Sequence, residues 1–304
     1  MERPTGLLEA MTDRHLNRYP MYVPSYQRYD RPLTIKMLQK DQVPHFVVVQ
    51  PHEEHHYQAA IGSLSTLLVL PEEVNNLMLT RNWIRDHAEA EGHARHWQFD
   101  DNIRIMYRHY KGQRLPVRAG VALAVCEDFT DRYTNVGIAG FNYSMFAPER
   151  RRFPPFRLNA HVYSATLINH EMPHRWRRKY NDDTDLCLQA LSTGWCTIQL
   201  NASLADKIAT LTIKGGNFQQ LYEDNGRLKM ARSLERDWPG VVTVTRRFGR
   251  AQHKIAYEWK RFDTQLIPRD DLPERIGGAD NYGMELQQVS MIRSEKLRQL
   301  IEDQ

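Results

Sequence analysis

Two acidic tracts hold the side chains best suited to chemistry. The first, His96-Trp97-Gln98-Phe99-Asp100-Asp101-Asn102, is an apolar run that stops at two adjacent aspartates. Carboxylates at the carboxyl end of a strand in an open α/β sheet face the crevice where ligands bind. A pair placed there suits Mg²⁺ or Mn²⁺, with a diphosphate and water supplying the other oxygens. The plainer alternative is a solvated turn in which Asp101 or Asn102 caps a helix over 103–110. The second tract, Tyr180-Asn181-Asp182-Asp183-Thr184-Asp185-Leu186, sets three aspartates ahead of an amphipathic helix over 185–192. Acid at a helix N-terminus complements the dipole by ~0.3–1 kcal/mol. That accounts for one or two of them and leaves a carboxylate for general-base work on an acceptor hydroxyl.

Basic and aromatic residues lie near the second tract. Arg150-Arg151-Arg152-Phe153 is followed by His174-Arg175-Trp176-Arg177-Arg178-Lys179. Arginines interleaved with aromatics can neutralise phosphates and stack on bases; a solvated basic face is the alternative. His52-Glu53-Glu54-His55-His56 matches the H-E-x-x-H zinc-peptidase pattern, which needs both histidines one turn apart inside a helix. Here the motif follows Pro51 directly, so it falls in a first helical turn, and a His-rich solvated helix start is the bland reading.

The elements that must position these groups alternate through the first half. Apolar runs at 21–23, 45–50, 64–70 and 96–100 read as strands, three of them stopped by Pro24, Pro51 and Pro71. Helical patterns lie between them, over Leu33–Lys40, 53–61 and 72–94. Such alternation predicts a parallel sheet in an α/β domain. The second half reads as longer strands at Val136–Tyr143 and 158–168, a further strand at 195–200, and helices over 218–234 and 284–302. The expectation is one domain over 1–270, with a nucleotide-binding half at about 20–115 and an acceptor half at about 116–270. A helical tail at 271–304 would follow.

Bulk properties set the limits. With 41% hydrophobic and 26% charged residues among 304, a packed core is expected. A net charge of +4 permits a polyanionic partner without demanding one. Cys126, Cys187 and Cys196 show neither metal-ligand nor redox spacing, which fits a reducing cytoplasm. No apolar run approaches the ~20 residues that span a bilayer, so no membrane partner is expected.

Several segments, in order, carry a resemblance: Val23-Pro24-Ser25-Tyr26-Gln27-Arg28-Tyr29, Thr80-Arg81-Asn82-Trp83-Ile84, Trp97-Gln98-Phe99-Asp100-Asp101-Asn102, and Asn135-Val136-Gly137-Ile138-Ala139-Gly140. Then come Lys179-Tyr180-Asn181-Asp182-Asp183-Thr184-Asp185-Leu186, Gly194-Trp195, Lys214-Gly215-Gly216 and Arg247-Phe248-Gly249-Arg250. Over about residues 20–262 the chain resembles the TET/JBP-associated glycosyltransferases. These have a GT-A-like fold and occur in bacteriophages beside enzymes that oxidise methylated bases. One departure is Asp182-Asp183 where the family pattern has Glu-Asp.

The resemblance implies a GT-A-like α/β domain with a mixed central sheet and helices on both faces. It implies a metal-dependent enzyme moving a sugar from a UDP-sugar to a hydroxyl, with inversion. Ser25, Arg28, Tyr29, Arg81, Asn82, Lys214, Gly215 and Gly216 would bind the donor. Asp100 and Asp101 would hold Mn²⁺ or Mg²⁺, with His253 as a third ligand. Asp183, or else Asp182, would be the base. The implied acceptor is 5-hydroxymethylcytosine in DNA, met by Tyr143, Phe146, Arg151, His174, Arg175 and Trp176, in the host cytoplasm if the chain is phage-encoded. A protein or small-molecule hydroxyl is the alternative acceptor. The zinc peptidase and a non-catalytic nucleic-acid-binding module remain as competing classes.

Overall fold

The apolar runs of the first half become parallel strands in a computed structural model. It describes residues 17–110, 112–147, 154–208, 215, 225–247, 249–255 and 262–271. These strands are β1 (Met21–Pro24), β2 (His45–Val49), β3 (Ser65–Val69) and β4 (Arg95–Phe99). β1 pairs in parallel with both β2 and β4, and β2 with β3. Between them lie α1 (Leu33–Lys40), α2 (Glu54–Ala60) and α3 (Leu77–Ala90).

The second half adds β5 (Ile103–Tyr110), β6 (Gln113–Val117), α4 (Ala119–Thr130), β7 (Val136–Tyr143) and β8 (Phe156–Leu158). β9 (Ala165–Asn169), α5 (Asp182–Ser192) and β10 (Cys196–Lys207) follow. The sheet order is β3-β2-β1-β4-β9-β7-β10-β5-β6, with β8 on β10. β9 runs antiparallel to β4 and β7, which makes the sheet mixed, as expected. A hairpin of β11 (Val242–Arg247) and β12 (Arg250–Ile255) packs with α6 (Gly226–Asp237) against α5. Among the described residues no helix is long and apolar enough to cross a membrane.

Successive strand residues point to opposite faces, and each face meets its own helices. Met21, Val23, Val47 and Val49 pack with Ile35 and Leu38 of α1 and Leu123 and Cys126 of α4. Tyr22 and Val48 pack with Ile84 and Ala88 of α3. Ile138 and Ile168 pack with Leu186 and Ala190 of α5. Helices thus cover both faces. β7 and β9 come so close that a Cβ on Gly140 would lie 2.1 Å from the Ala165 carbonyl oxygen, which is why this strand position is a glycine.

Order matters for function because the chain runs from β1 to β2 on one side and returns to β4 on the other. The carboxyl ends of β1 and β4 therefore flank a switch point, where open α/β sheets bind ligands.

Several elements differ from expectation. Residues 103–110 form a strand and not a capped helix. It pairs in antiparallel ladders with β6 and β10. The single strand expected over 158–168 is two, because Asn159 and Ser164 take left-handed backbone with φ of 54° and 65°. α3 starts at Leu77, where the Asn76 side chain accepts from the Leu79 N–H at 3.0 Å. α5 begins at Asp182, so Asp182 and Asp183 lie within its first turn. The helix expected over 218–234 is α6, and the tail expected over 284–302 lies outside the described residues.

Candidate active site

The loop after β1 is the first part of the site. Its consecutive N–H groups are taken by side chains that follow β2: Gln27 N–H donates to Glu53 Oε1 at 2.8 Å, and Arg28 N–H to the Tyr57 hydroxyl at 3.1 Å. Gln27 is held left-handed at φ 55°. Ser25 Oγ lies 2.7 Å from the Tyr57 hydroxyl and donates to Asp101 Oδ2 at 2.8 Å. Arg28 pairs with Asp101 Oδ1 and reaches the Gly215 carbonyl oxygen at 3.1 Å. Gly215, at φ 83°, packs so tightly on the loop that a Cβ would meet the Gln27 carbonyl oxygen at 2.2 Å.

The second part is centred on Arg81, which α3 presents in nearly complete burial. Its Nε donates to Asp182 Oδ2 at 3.0 Å and its Nη2 to Asp100 Oδ1 at 3.1 Å, with Asp183 Oδ1 3.5 Å from Nη2. Gln98 steadies it, accepting from Nη1 at 3.3 Å and donating to the Arg81 carbonyl oxygen at 3.0 Å. The two acidic tracts, far apart in sequence, thus meet on one guanidinium. Lys207, at the end of β10, donates to Asp100 Oδ2 and to Ser164 Oγ, both at 2.6 Å. Asp183 accepts from the Ser164 N–H at 3.2 Å and from Trp176 Nε1 at 3.5 Å.

Burial and charge set the carboxyls apart. Burial would raise Asp100, but the Lys207 ammonium and the Arg81 guanidinium outweigh it and hold that carboxyl well below the usual range. Burial dominates at Asp101 and raises it despite Arg28. Burial together with the Asp183 charge pushes Asp182 up to about 7, against the pull of Arg81. A carboxyl so placed can take a proton near neutral pH.

The donor set does not fit a divalent cation as it is arranged. Both oxygens of Asp100 accept from Arg81 and Lys207, and both of Asp101 from Ser25 and Arg28. His253 lies on β12 opposite Val244 and near His161, which burial first and then His253 lower to about 4. Among the described residues no group of three His, Cys, Asp or Glu side chains is arranged to hold a metal. The H-E-x-x-H histidines do not converge either: His52 meets Tyr26 edge-on, and His56 stacks on Tyr29 at 4.3 Å. Glu53 between them is turned inward and is 3% exposed.

The remaining expected residues divide. Asn82 clamps the backbone of Trp176, donating at 2.7 Å and accepting at 3.1 Å. Trp176 is 2% exposed with Arg81 5.8 Å over its ring, so it is a packing residue and not a free stacking face. His174 is 2.6 Å from Thr193 Oγ1, and Arg175 pairs with Asp86 and Glu89. Tyr143 is half-buried against Ser164, while Phe146 is 53% exposed on the turn after β7. Met145 on that turn borders a cleft of about 380 Å³ lined by Arg104, Arg114, Asp206 and Lys207. A second cleft of about 330 Å³ is lined by Arg177, Arg178, Lys179 and Tyr180. Arg151, Lys214 and Gly216 lie outside the described residues.

Sequence reasoning missed Lys207, Ser164 and Tyr57. Lys207 carried a usable signal, since Asp206-Lys207 ends an apolar strand as Asp100-Asp101 does. Ser164 gave none.

With this geometry in view, the comparisons with known proteins are specific. The family model of the TET-associated glycosyltransferases matches residues 19–216, well over half the chain, and the chain belongs to that family. That family is one of glycosyltransferases, enzymes that use nucleotide sugars. Two curated relatives are the beta-glucosyl-HMC-alpha-glucosyl-transferases of Enterobacteria phage T6, 36% identical, and phage T2, 35% identical, each over 83 residues. The match spans 27% of this chain and 28% of each relative, so the chain covers little more than a quarter of their length. A solved structure, A197 from STIV, aligns with a TM-score of 0.37 at 14% identity. It covers 63% of this chain and 86% of that one, a likeness too weak to carry an argument.

Proposed function

We propose that this member of the TET-associated glycosyltransferase family transfers a sugar from a UDP-sugar to the hydroxyl of 5-hydroxymethylcytosine in DNA. The observation that carries the transfer reading is the meeting of Asp100, Asp182 and Asp183 on Arg81, beside Lys207, at the carboxyl edge of the sheet. Along that edge the residues run in the order a nucleotide sugar needs. The β1 and β2 ends would take the nucleoside, Arg28 and Lys207 would face the diphosphate, and Asp182 would face the sugar and acceptor.

Asp182 acts as the base in this proposal. Asp183, preferred from sequence alone, has both oxygens engaged by Ser164 and Trp176 and serves to position the helix turn. The acceptor oxygen attacks the anomeric carbon and its proton passes to Asp182. The bond from that carbon to the diphosphate oxygen breaks, and its electron pair leaves with the nucleoside diphosphate. Fixed cationic side chains receive that charge without reorganising. One displacement inverts the anomer. The cation expected at Asp100 and Asp101 enters no step, because the donors there are already engaged.

The phage T6 and T2 relatives are named for glucosyl transfer to a glucosylated HMC, which supports a modified-base acceptor. The clefts lined by Arg104 and Arg114 and by Arg177–Lys179 offer basic walls for a phosphate backbone. A base modified within a duplex must leave the stack, and exposed Phe146 is a candidate to contact it.

The test is mass spectrometry of digested duplex DNA carrying 5-hydroxymethylcytosine, after incubation with UDP-glucose or UDP-N-acetylglucosamine. A hexose-sized or N-acetylhexosamine-sized gain, lost in Asp182→Asn, is expected. UDP release without gain on DNA would move the acceptor to a protein or small molecule. An anomer retained from the donor, read by NMR, would remove Asp182 from the role of base.

A further inference from the structure

β4 carries a row of polar side chains on the face that meets α3, because alternate strand residues share a face. His96 and Gln98 are fully buried in that row, and Asp100 of the candidate site stands two residues on. Hydrogen bonds join the row to half-buried His170, just after β9. His170 Nδ1 lies 2.6 Å from the His93 carbonyl oxygen, and its Nε2 lies 2.6 Å from His96 Nδ1. His96 Nε2 is 2.8 Å from Gln98 Nε2. Gln98 in turn donates to the Arg81 carbonyl oxygen and accepts from Arg81 Nη1.

The first partner sets every direction in this chain of bonds. A carbonyl only accepts, so His170 Nδ1 carries a proton and donates to His93. Neutral His170 then offers Nε2 as an acceptor, and His96 Nδ1–H donates to it. His96 Nε2 is therefore bare and accepts from the Gln98 amide. That contact turns the Gln98 NH₂ toward His96 and the Arg81 carbonyl, and the amide oxygen toward the Arg81 guanidinium. A reversed amide would set its oxygen against two acceptors and its NH₂ against the guanidinium donors. Burial first, then His170, Arg85 and His93, holds the His96 ring well below the usual imidazole range, so one ring nitrogen stays bare. Burial lowers His170 too, with Glu89 of α3 opposing and Arg85 and His93 assisting. Tyr22 of β1 meets His96 edge-on at 5.9 Å.

Arg81 is the guanidinium on which Asp100, Asp182 and Asp183 meet, so its position sets theirs. We propose that His96 is a positioning residue for sugar transfer: its bare Nε2 fixes the Gln98 amide in the one orientation that holds Arg81 against Asp182, and His170 fixes His96 in turn. A constellation of this kind works only when supporting hydrogen bonds lock its side chains. His96 acts through Gln98 and Arg81 and not on the substrates themselves. The inference deepens the transfer reading above and rests on it.

Long-range proton–nitrogen NMR of the full wild-type chain, labelled at its histidine nitrogens, is the first test. His96 should be protonated at Nδ1 and bare at Nε2, and identified by its coupling to His170 across the N–H···N bond. A proton on Nε2, or no coupling between the two rings, would overturn the proposal without any variant having to fold. Initial rates of transfer from pH 5.5 to 8.5 are the second. His96→Phe removes the bare nitrogen and should lower kcat/KM about tenfold or more. Burial, Asp183 and Asp100 raise the Asp182 carboxyl while Arg81 opposes them, so loosening Arg81 should also carry the acid limb to higher pH. His96→Gln, whose amide oxygen can accept from Gln98, should recover most of the loss. Gln98→Met should match His96→Phe, and the double variant should lose no more than either single one. Additive losses, or an unmoved acid limb in a His96→Phe that melts cooperatively, would overturn the proposal while leaving Asp182 as the base. Full activity in Asp182→Asn would instead overturn the transfer reading together with this inference.

Discussion

Replacing Asp182 with Asn separates its catalytic role from its energetic one. Its carboxyl is raised from 3.8 to about 7, first by burial and then by the Asp183 charge, with Arg81 opposing. At ~1.4 kcal/mol per unit, a carboxyl raised this way is worth on the order of a few kcal/mol. The sign follows from linkage: the native state binds the Asp182 proton more tightly than the unfolded chain does. That contribution to stability is complete below about pH 4 and is lost as pH rises through about 7. Asparagine carries no proton to lose. Asp182→Asn should therefore melt increasingly above the wild type as pH rises from 5 to 8.5. A kcal/mol is worth about 2–4 °C in a domain of this size, so the gap should widen by several degrees.

Kinetics supply the second readout. A raised carboxyl acting as base makes log kcat/KM rise with unit slope on the acid side, so transfer should fall about tenfold per pH unit there. Asp183→Asn removes a charge that raises Asp182. It should keep activity and move the acid limb to lower pH. Calorimetric melting from pH 5 to 8.5 and initial rates over the same range are the assays. A melting gap equal at both ends, or an activity loss confined to Asp183→Asn, would refute the reasoning.

Two further outcomes follow from the same geometry. Lys207→Met frees one Asp100 oxygen, now engaged at 2.6 Å, and should raise Mn²⁺ affinity at least tenfold by calorimetry; equal affinity in both proteins would show that Lys207 does not hold that position. Gly215→Ala places a Cβ 2.2 Å from the Gln27 carbonyl oxygen at a φ of 83°, which should push this residue off the β1 loop. A rise of about tenfold or more in donor KM with a smaller change in kcat is expected, and unchanged KM would mean that the contact is idle in the reaction.

The fold was legible where apolar runs ended in strong stop signals. Pro24, Pro51 and Pro71 bounded the early strands, and the acids after Phe99 marked the end of β4. The strand at Ile103–Tyr110 was hidden because its polar residues, Arg104, Arg108 and His109, also satisfy a solvated helix; its pairing with β6 and β10 decides the matter. The site was half legible. Asp100, Asp101, Asp182 and Asp183 could be selected because carboxylates cluster for few reasons, but their partners could not. That Arg81 gathers three of them is a consequence of tertiary packing, invisible to local spacing. The H-E-x-x-H match pointed at a zinc centre whose histidines turn to separate aromatic partners, and Glu53 between them is set apart by burial.

A raised carboxyl alone does not identify a working group, and Glu127 shows why. Burial pushes it to about 7, as at Asp182. Yet Glu127 accepts from the Arg18 N–H at 2.8 Å, the Tyr19 N–H at 3.4 Å and Trp97 Nε1 at 2.7 Å, so both oxygens are engaged in tying the chain's early residues to the core. Its cost of burial is answered by structure. Among the described residues Asp182 has one side-chain donor, Arg81 Nε, and Glu53 leaves one oxygen with no partner. Both carboxyls are raised first by burial, and both keep hydrogen-bonding capacity that the described residues leave unfilled. Selection for stability would have filled it, as at Glu127, or removed the charge. At Asp182 that capacity lies where Arg81 gathers three carboxyls, which is what a group that takes a proton in the proposed transfer would require.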